Sequence, residues 1–266
     1  MKTFLRTLTF VLVSVFSTVS VAADAMDLWF SPGWKTKAGN AKTISKSLSD
    51  KSGLSIRPRI AKSYPEMLSA LDSDTASLVY VGSFVQAMIR ARGLGEGLVQ
   101  SVTGKELYSG VLIYPKGQDP EAILKNNPTE IAFAVGASSG ESSAKAATNG
   151  KAAIKTKNHK ASLGAVKAGK AKAGVVKNWW WESNGKEYPD MAMYKMPGIS
   201  ENKNPDNVLA ASKAVTADVR AKITQAAKAS KDVFGAKEMR DFDPAVLDFT
   251  LSLMEKGHID PQTYSW

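Results

Sequence analysis

Between Asp27 and Gly93, short apolar runs alternate with stretches whose apolar residues recur three and four positions apart. Residues 27–31, 55–60 and 77–81 read as strands, each a short run bounded by turn residues. Ala41, Ile44 and Leu48 mark the buried face of the first intervening helix, which stops at Gly53. Ser63, Tyr64, Pro65 and Glu66 form a capping box with proline in the first turn; Tyr64, Met67, Leu68 and Leu71 supply the apolar stripe that follows. Gly82 and Ser83 cap a third helix, with Val85, Met88, Ile89 and Arg92 on one face and a stop at Gly93. Alternation of this kind predicts an α/β chain, a parallel sheet with helices on its faces.

A strand-like run at 107–114, closed by Pro115, is expected to cross into a second lobe. That lobe holds helix 121–126, a strand and helix within 131–148, strand 152–155, helix 158–168 and strand 173–177, with the return crossing at 191–196. Helices at 216–229 and 244–256 pack back on the first lobe, and Leu247, Leu251 and Met254 give the last one its stripe. The expected division is 24–110 plus 197–266 for the first lobe and 111–196 for the second. Gly93, Gly95 and Gly97 follow a helix rather than a strand, so they read as a turn and not as a dinucleotide fingerprint.

Residues 1–23 have the pattern of a cleaved signal peptide: Lys2 and Arg6, an apolar run at 8–16, then Val21, Ala22 and Ala23. The run is too short to span a bilayer. The chain contains no cysteine, which excludes disulfides, thiolate metal sites and a lipid-modified N-terminal cysteine, and leaves the core alone to hold an exported fold.

The residues with most chemistry in them are 131–145, an apolar strand that breaks into Gly136-Ala137-Ser138-Ser139-Gly140 and resumes as an alanine-rich helix. A strand-to-helix turn points several unpaired N–H groups one way at the positive end of the helix dipole, which makes an anion cradle. The same five residues spell G-x-S-x-G, the nucleophile elbow of a secreted serine hydrolase with Ser138 as nucleophile. They also fit an ordinary capped helix start. Glu141, in the first turn, is expected to face solvent and favour the dipole. Only His159 and His258 could complete a triad. His159 stands at a helix start, suited to donating to an oxyanion, and His258 follows a helix end, where it complements the dipole. No metal-binding motif and no cofactor fingerprint is present.

From Ser142 to Lys177 there are nine lysines and no acidic residue. Such a field concentrates small anions, and it fits equally a solvated face. No nucleic-acid reader motif accompanies it, so no nucleic-acid partner is expected. Trp179, Trp180 and Trp181 follow strand 173–177 at the edge where α/β sheets bind ligands. Read as a continuing strand, Trp179 and Trp181 share a face, and Trp179 is the candidate cleft residue. Trp34, at the turn before the first helix, is a second candidate for cleft wall.

Four motifs in order carry a resemblance: 80–84, Tyr108-Ser109-Gly110-Val111, Ala137-Ser138-Ser139-Gly140, and His159-Lys160-Ala161-Ser162 through Gly169, with 205–214 after them. The chain resembles the periplasmic solute-binding proteins of phosphonate, phosphite and phosphate ABC transporters. The resemblance implies a two-lobed periplasmic-binding-protein (type II) fold with two crossing strands between the lobes. It also implies a periplasmic location, a small-molecule anion as ligand, no enzymatic activity, an inner-membrane ABC permease as partner (or a membrane sensor in its place) and a monomer. By position it makes Ser138, Ser139, Gly140, His159, Ser83 and Phe84 ligand-binding, and Tyr108, in the second motif, is a further candidate. Two departures stand out: Ala137 removes one hydroxyl of the turn, and Lys172 stands where the family has an acidic residue. The lysine argues against an aminoalkyl tail on the ligand.

Overall fold

The computed structural model of the protein describes residues 25–136 and 139–266. The signal-peptide segment and the turn residues Ala137 and Ser138 lie outside the described residues.

The alternation at the start of the chain builds strands β1 (Met26–Phe30), β2 (Ile56–Ile60) and β3 (Ser77–Val81), which pair in parallel on either side of β1. Between them run α1 (Ala38–Ser52) and α2 (Tyr64–Asp72), and α3 (Ser83–Ala91) follows β3. Half of the capping box forms as expected, the Ser63 hydroxyl accepting the Glu66 N–H, while the Glu66 carboxylate accepts the N–H of Lys62, one residue before the cap.

The sheet is mixed rather than purely parallel. Strands β4 (Gly95–Val102), β12 (Val208–Ser212) and β13 (Glu238–Asp241) complete it antiparallel, in the order β13-β4-β12-β3-β1-β2. Of the glycines read as a turn, Gly93 lies in one, with φ +61, and Gly95 and Gly97 belong to β4. A Cβ on Gly95 would lie 2.1 Å from the Ala211 carbonyl oxygen and one on Gly97 would lie 2.2 Å from the Phe242 ring, so close packing rather than a bend demands them. Both faces are covered: Leu28, Phe30, Ile44, Leu48 and Leu78 pack on one side, and Met67, Leu71, Val79, Val81 and Met88 on the other.

A second sheet has the order β10-β6-β9-β7-β8. Its strands are β6 (Gly110–Pro115), β7 (Ile131–Ala134), β8 (Ile154–Thr156), β9 (Ala173–Lys177) and β10 (Met191–Tyr194). Helices α4 (Pro120–Asn126), α5 (Ser139–Ala147), α6 (His159–Lys167) and α7 (Asn178–Asn184) surround it. A two-stranded ribbon joins the sheets, β5 (Leu107–Tyr108) antiparallel to β11 (Asn204–Pro205). Residues 191–196, expected to be the return crossing, instead begin with β10, an edge strand of the second sheet; the strand that pairs with β5 between the sheets is β11.

Two more helices, α8 (Ala217–Ala229) and α9 (Asp248–Lys256), follow β12. Helix α9 contributes Met254 to the first-sheet core and also lies along α5 of the second sheet. The approach is close at Gly257, where a Cβ would stand 2.8 Å from that of Lys145. His258 sits in left-handed backbone with its Nε2 at 2.9 Å from Asn149 Oδ1.

Candidate functional site

At the carboxyl ends of β2, β3 and β7 the chain turns into α2, α3 and α5, and after β8 into α6. Each helix start exposes N–H groups without intrahelical partners, and the four starts belong to two lobes that meet at the ribbon. Asn158 caps α6 by accepting the Ala161 N–H at 2.8 Å, which sets His159 as the helix's first residue. The His159 ring lies 5.9 Å from that of Trp180, and its Nδ1 is buried with no partner. Burial, with the charge of Lys177 adding to it, pushes the imidazole pKa down to about 4. His159 is therefore neutral at neutral pH, a ring with one N–H to give.

Lys177 ends β9 at the same edge. Its ammonium stands 4.0 Å from the Tyr108 ring centre and 4.3 Å from that of Trp179, and it pairs with the Asp206 carboxylate. The lysine comes from the second lobe, and Asp206 follows the ribbon strand β11 into the first. Both side chains are about one-fifth exposed, at 16% and 20%, so the pair is screened far less than a surface ion pair. Asp206 in turn leaves no room for a side chain at Gly82, where a Cβ would be 2.7 Å from its Oδ1. The buried Ser83 and Tyr108 hydroxyls join at 2.8 Å. Tyr64, at the start of α2, hydrogen-bonds Ser31; burial raises its pKa, and the Asp206 charge adds to the rise.

The start of α5 is organised by Glu141. Expected to face solvent, it is 1% exposed: its Oε2 accepts the Gly136 N–H at 2.7 Å and the Tyr264 hydroxyl at 2.8 Å. The correction follows from a partner distant in sequence, since Tyr264 belongs to the segment after α9. Burial and the neighbouring carboxylate hold the Tyr264 hydroxyl well above its ordinary pKa. Trp266, stacked on Tyr64 with 6.1 Å between ring centres, presses its indole nitrogen edge against Gly136. Gly136 has φ +57, and a Cβ there would overlap the indole.

Of the residues marked from sequence, Ser139 and Gly140 open α5, and His159, Ser83, Tyr108 and Trp179 gather around Lys177 and the ribbon. Ser138 lies outside the described residues. Phe84 is a core side chain, edge-on to Tyr264. Trp34 packs on Phe30 and Tyr80 at 4.6 and 5.7 Å between ring centres, against the core of the first sheet. The three tryptophans lie in α7 rather than on a strand, so they diverge: Trp179 turns to Tyr108, Trp180 to His159, and Trp181 to Tyr188. Lys172 is exposed before the first residue of β9, and the cation at the strand's cleft end is Lys177. Sequence reasoning placed Lys177 in the basic field and at the end of strand 173–177 without a role, read Tyr64 as part of an apolar stripe, and passed over Asp206, Tyr264 and Trp266. A hollow of about 690 Å³ over α9, lined by Leu251, Glu255 and His258, contains none of these helix starts.

Together these groups offer N–H donors, a neutral imidazole and an ammonium paired with Asp206, a set suited to holding a small anion. No curated protein matches the chain by sequence. Among solved structures it is similar to PhnD1 of Prochlorococcus marinus, solved with methylphosphonate: TM-score 0.65, 16% identity, covering 87% of this chain and 97% of that one. A Xanthomonas citri protein solved with ATP gives TM-score 0.70 at 11% identity over 89% and 98% of the two chains. The binding-protein component of a Pseudomonas aeruginosa ABC phosphonate transporter gives 0.65 at 15% over 88% and 87%. These likenesses establish the two-lobed type II binding-protein fold. The family model described as "ABC transporter, phosphonate, periplasmic substrate-binding protein" matches residues 40–232, and the chain belongs to that family of solute-binding proteins, which serve a membrane permease.

Proposed function

We propose that the protein captures a small phosphonate- or phosphate-like oxyanion between its lobes and hands it to an inner-membrane ABC permease. In this reading a signal peptide at 1–23 directs export and is then removed, and the protein acts as a monomer without enzymatic activity and divides into lobes 24–110 plus 197–266 and 111–196. The observation that carries it is His159, at the start of α6, near the Lys177 charge at the end of β9, the strand that pairs with β7 before α5, in a chain of the phosphonate-binding family. That PhnD1 of P. marinus was solved with methylphosphonate supports a headgroup of this class. Lys177, not Lys172, disfavours a cationic tail, because it already neutralises Asp206, the carboxylate that an ammonium would seek. Neutral or anionic tails are favoured over aminoalkyl ones.

Calorimetry with phosphate, phosphite, methylphosphonate, 2-aminoethylphosphonate and sulfate tests this. Charge-assisted hydrogen bonds are worth about 1.5–3 kcal/mol each, so wild type is expected to bind methylphosphonate near micromolar, and Ser138→Ala/Ser139→Ala to lose about 100-fold. Tightest binding of the amine, or indifference to the double substitution, refutes the reading. Stoichiometric fluorophosphonate labelling lost in Ser138→Ala would restore the hydrolase.

A further inference from the structure

The segment after α9 behaves unlike a loose end. Arg92, at the end of α3, donates from Nε to the Pro261 carbonyl at 2.8 Å and from Nη2 to the Tyr264 carbonyl at 2.7 Å. These bonds fix the segment to the first lobe. From there Tyr264 reaches the second lobe through Glu141, and Trp266 lies between Tyr64 and Gly136. Its ring is held twice, stacked on Tyr64 and edge-on to Tyr264 at 5.0 Å.

The indole Nε1 is buried and has no acceptor. A buried indole N–H ordinarily finds a partner, because leaving it unpaired forfeits its hydration with nothing in return. The Gly136 N–H beside it is already taken by Glu141. Two aromatic rings and an arginine thus hold a donor rigidly against Gly136, where a Cβ would overlap the indole.

We propose that Trp266 is a ligand-contacting residue that donates its indole N–H to the oxyanion bound at the start of α5. The segment 260–266 is then a third wall of the cleft, beside the two lobe edges. The proposal rests on the oxyanion-binding reading above. Its probe is Trp266→Phe, which keeps an aromatic ring on Tyr64 and removes the donor along with part of the indole's packing, so the wild-type indole resonance is read beside it.

Calorimetry of the mature chain with methylphosphonate should show Trp266→Phe binding about tenfold or more weakly, the worth of one hydrogen bond to a charged group. In the wild type, the Trp266 indole N–H proton resonance should shift on adding methylphosphonate and exchange more slowly with solvent, a response that a purely structural ring does not give. Wild-type binding with an unmoved indole resonance overturns the proposal while leaving the oxyanion reading intact, as does equal affinity in Trp266→Phe. Absence of wild-type binding to every oxyanion in the panel would overturn the underlying reading, and the proposal with it.

Discussion

The two edges of the cleft are built from the same parts and differ in what they leave free. On the first lobe, Ser83 is bonded to Tyr108, Tyr64 to Ser31, and Tyr80 to Ser101 at 2.7 Å, so its hydroxyls are spent on one another. On the second lobe, His159 Nδ1 is buried without a partner and Lys177 brings a positive charge. Paired hydroxyls make a rigid surface, and unpaired donors make a sticky one. The difference places the cation and the imidazole on the second lobe and paired hydroxyls on the first, to which Trp266 adds its indole donor.

Replacing Lys177 with Met should break this asymmetry most severely. It removes the cation from the cleft and leaves Asp206 unpaired, costing about 2 kcal/mol of stability, less than a fully buried pair would because both side chains retain some solvent contact. Methylphosphonate affinity should fall about 100-fold by calorimetry. The same variant has a pH signature. A folded-state pKa below the ordinary histidine value of 6.5 gives stability that is complete above 6.5 and lost as pH falls through that window toward 4. With the lysine charge gone, the His159 pKa should rise from about 4, as read by NMR titration, and the acid-side loss should shrink. An unchanged His159 titration would separate the two residues and dissolve the cluster.

A smaller effect is expected from Glu141→Gln. The amide oxygen can still accept from Gly136 and Tyr264, so the turn persists with about 1 kcal/mol lost to thermal denaturation. A negative charge leaves the neighbourhood of the bound anion, and affinity for phosphate should rise by roughly threefold. Weaker binding would show that the carboxylate orders the turn more than it repels the ligand. Ser83→Ala should do least to binding. It removes the Ser83 hydroxyl from its hydrogen bond with the Tyr108 hydroxyl and costs about 1 kcal/mol in urea unfolding, with methylphosphonate affinity within about twofold. A loss in binding as large as that of Lys177→Met would place affinity on both edges and end the comparison.

How much of this could be read from the chain follows from how far apart the partners lie. The capping box at Ser63, the α5 and α6 starts and the strand 173–177 declare themselves within a few residues. The strands β4 and β12 do not. Val208 to Ser212 are all buried in mid-sheet and show no alternation, and the glycines of β4 serve a carbonyl and a ring over a hundred residues away. Tryptophans at 179–181 suit strand or helix equally, and the α7 backbone decides which way each points. Glu141 looks like any first-turn acid until Tyr264, 123 residues on, supplies its hydroxyl. Among the lysines of the basic field, only the position at a strand's carboxyl end distinguishes Lys177, and that distinction needs the strand direction as well as the composition.

The contact of α9 with α5 gives the protein a spine. Where Gly257 abuts Lys145 and Ala146 there is not even space for a methyl group, so the lobes are already at their closest on that side. A turn of one lobe about this line moves nearby atoms little and distant atoms much, as with the covers of a book. The helix starts on the first lobe and the His159–Lys177 edge of the second would then travel by different amounts. The permease would meet a surface whose outer rim reports the bound state more strongly than its back.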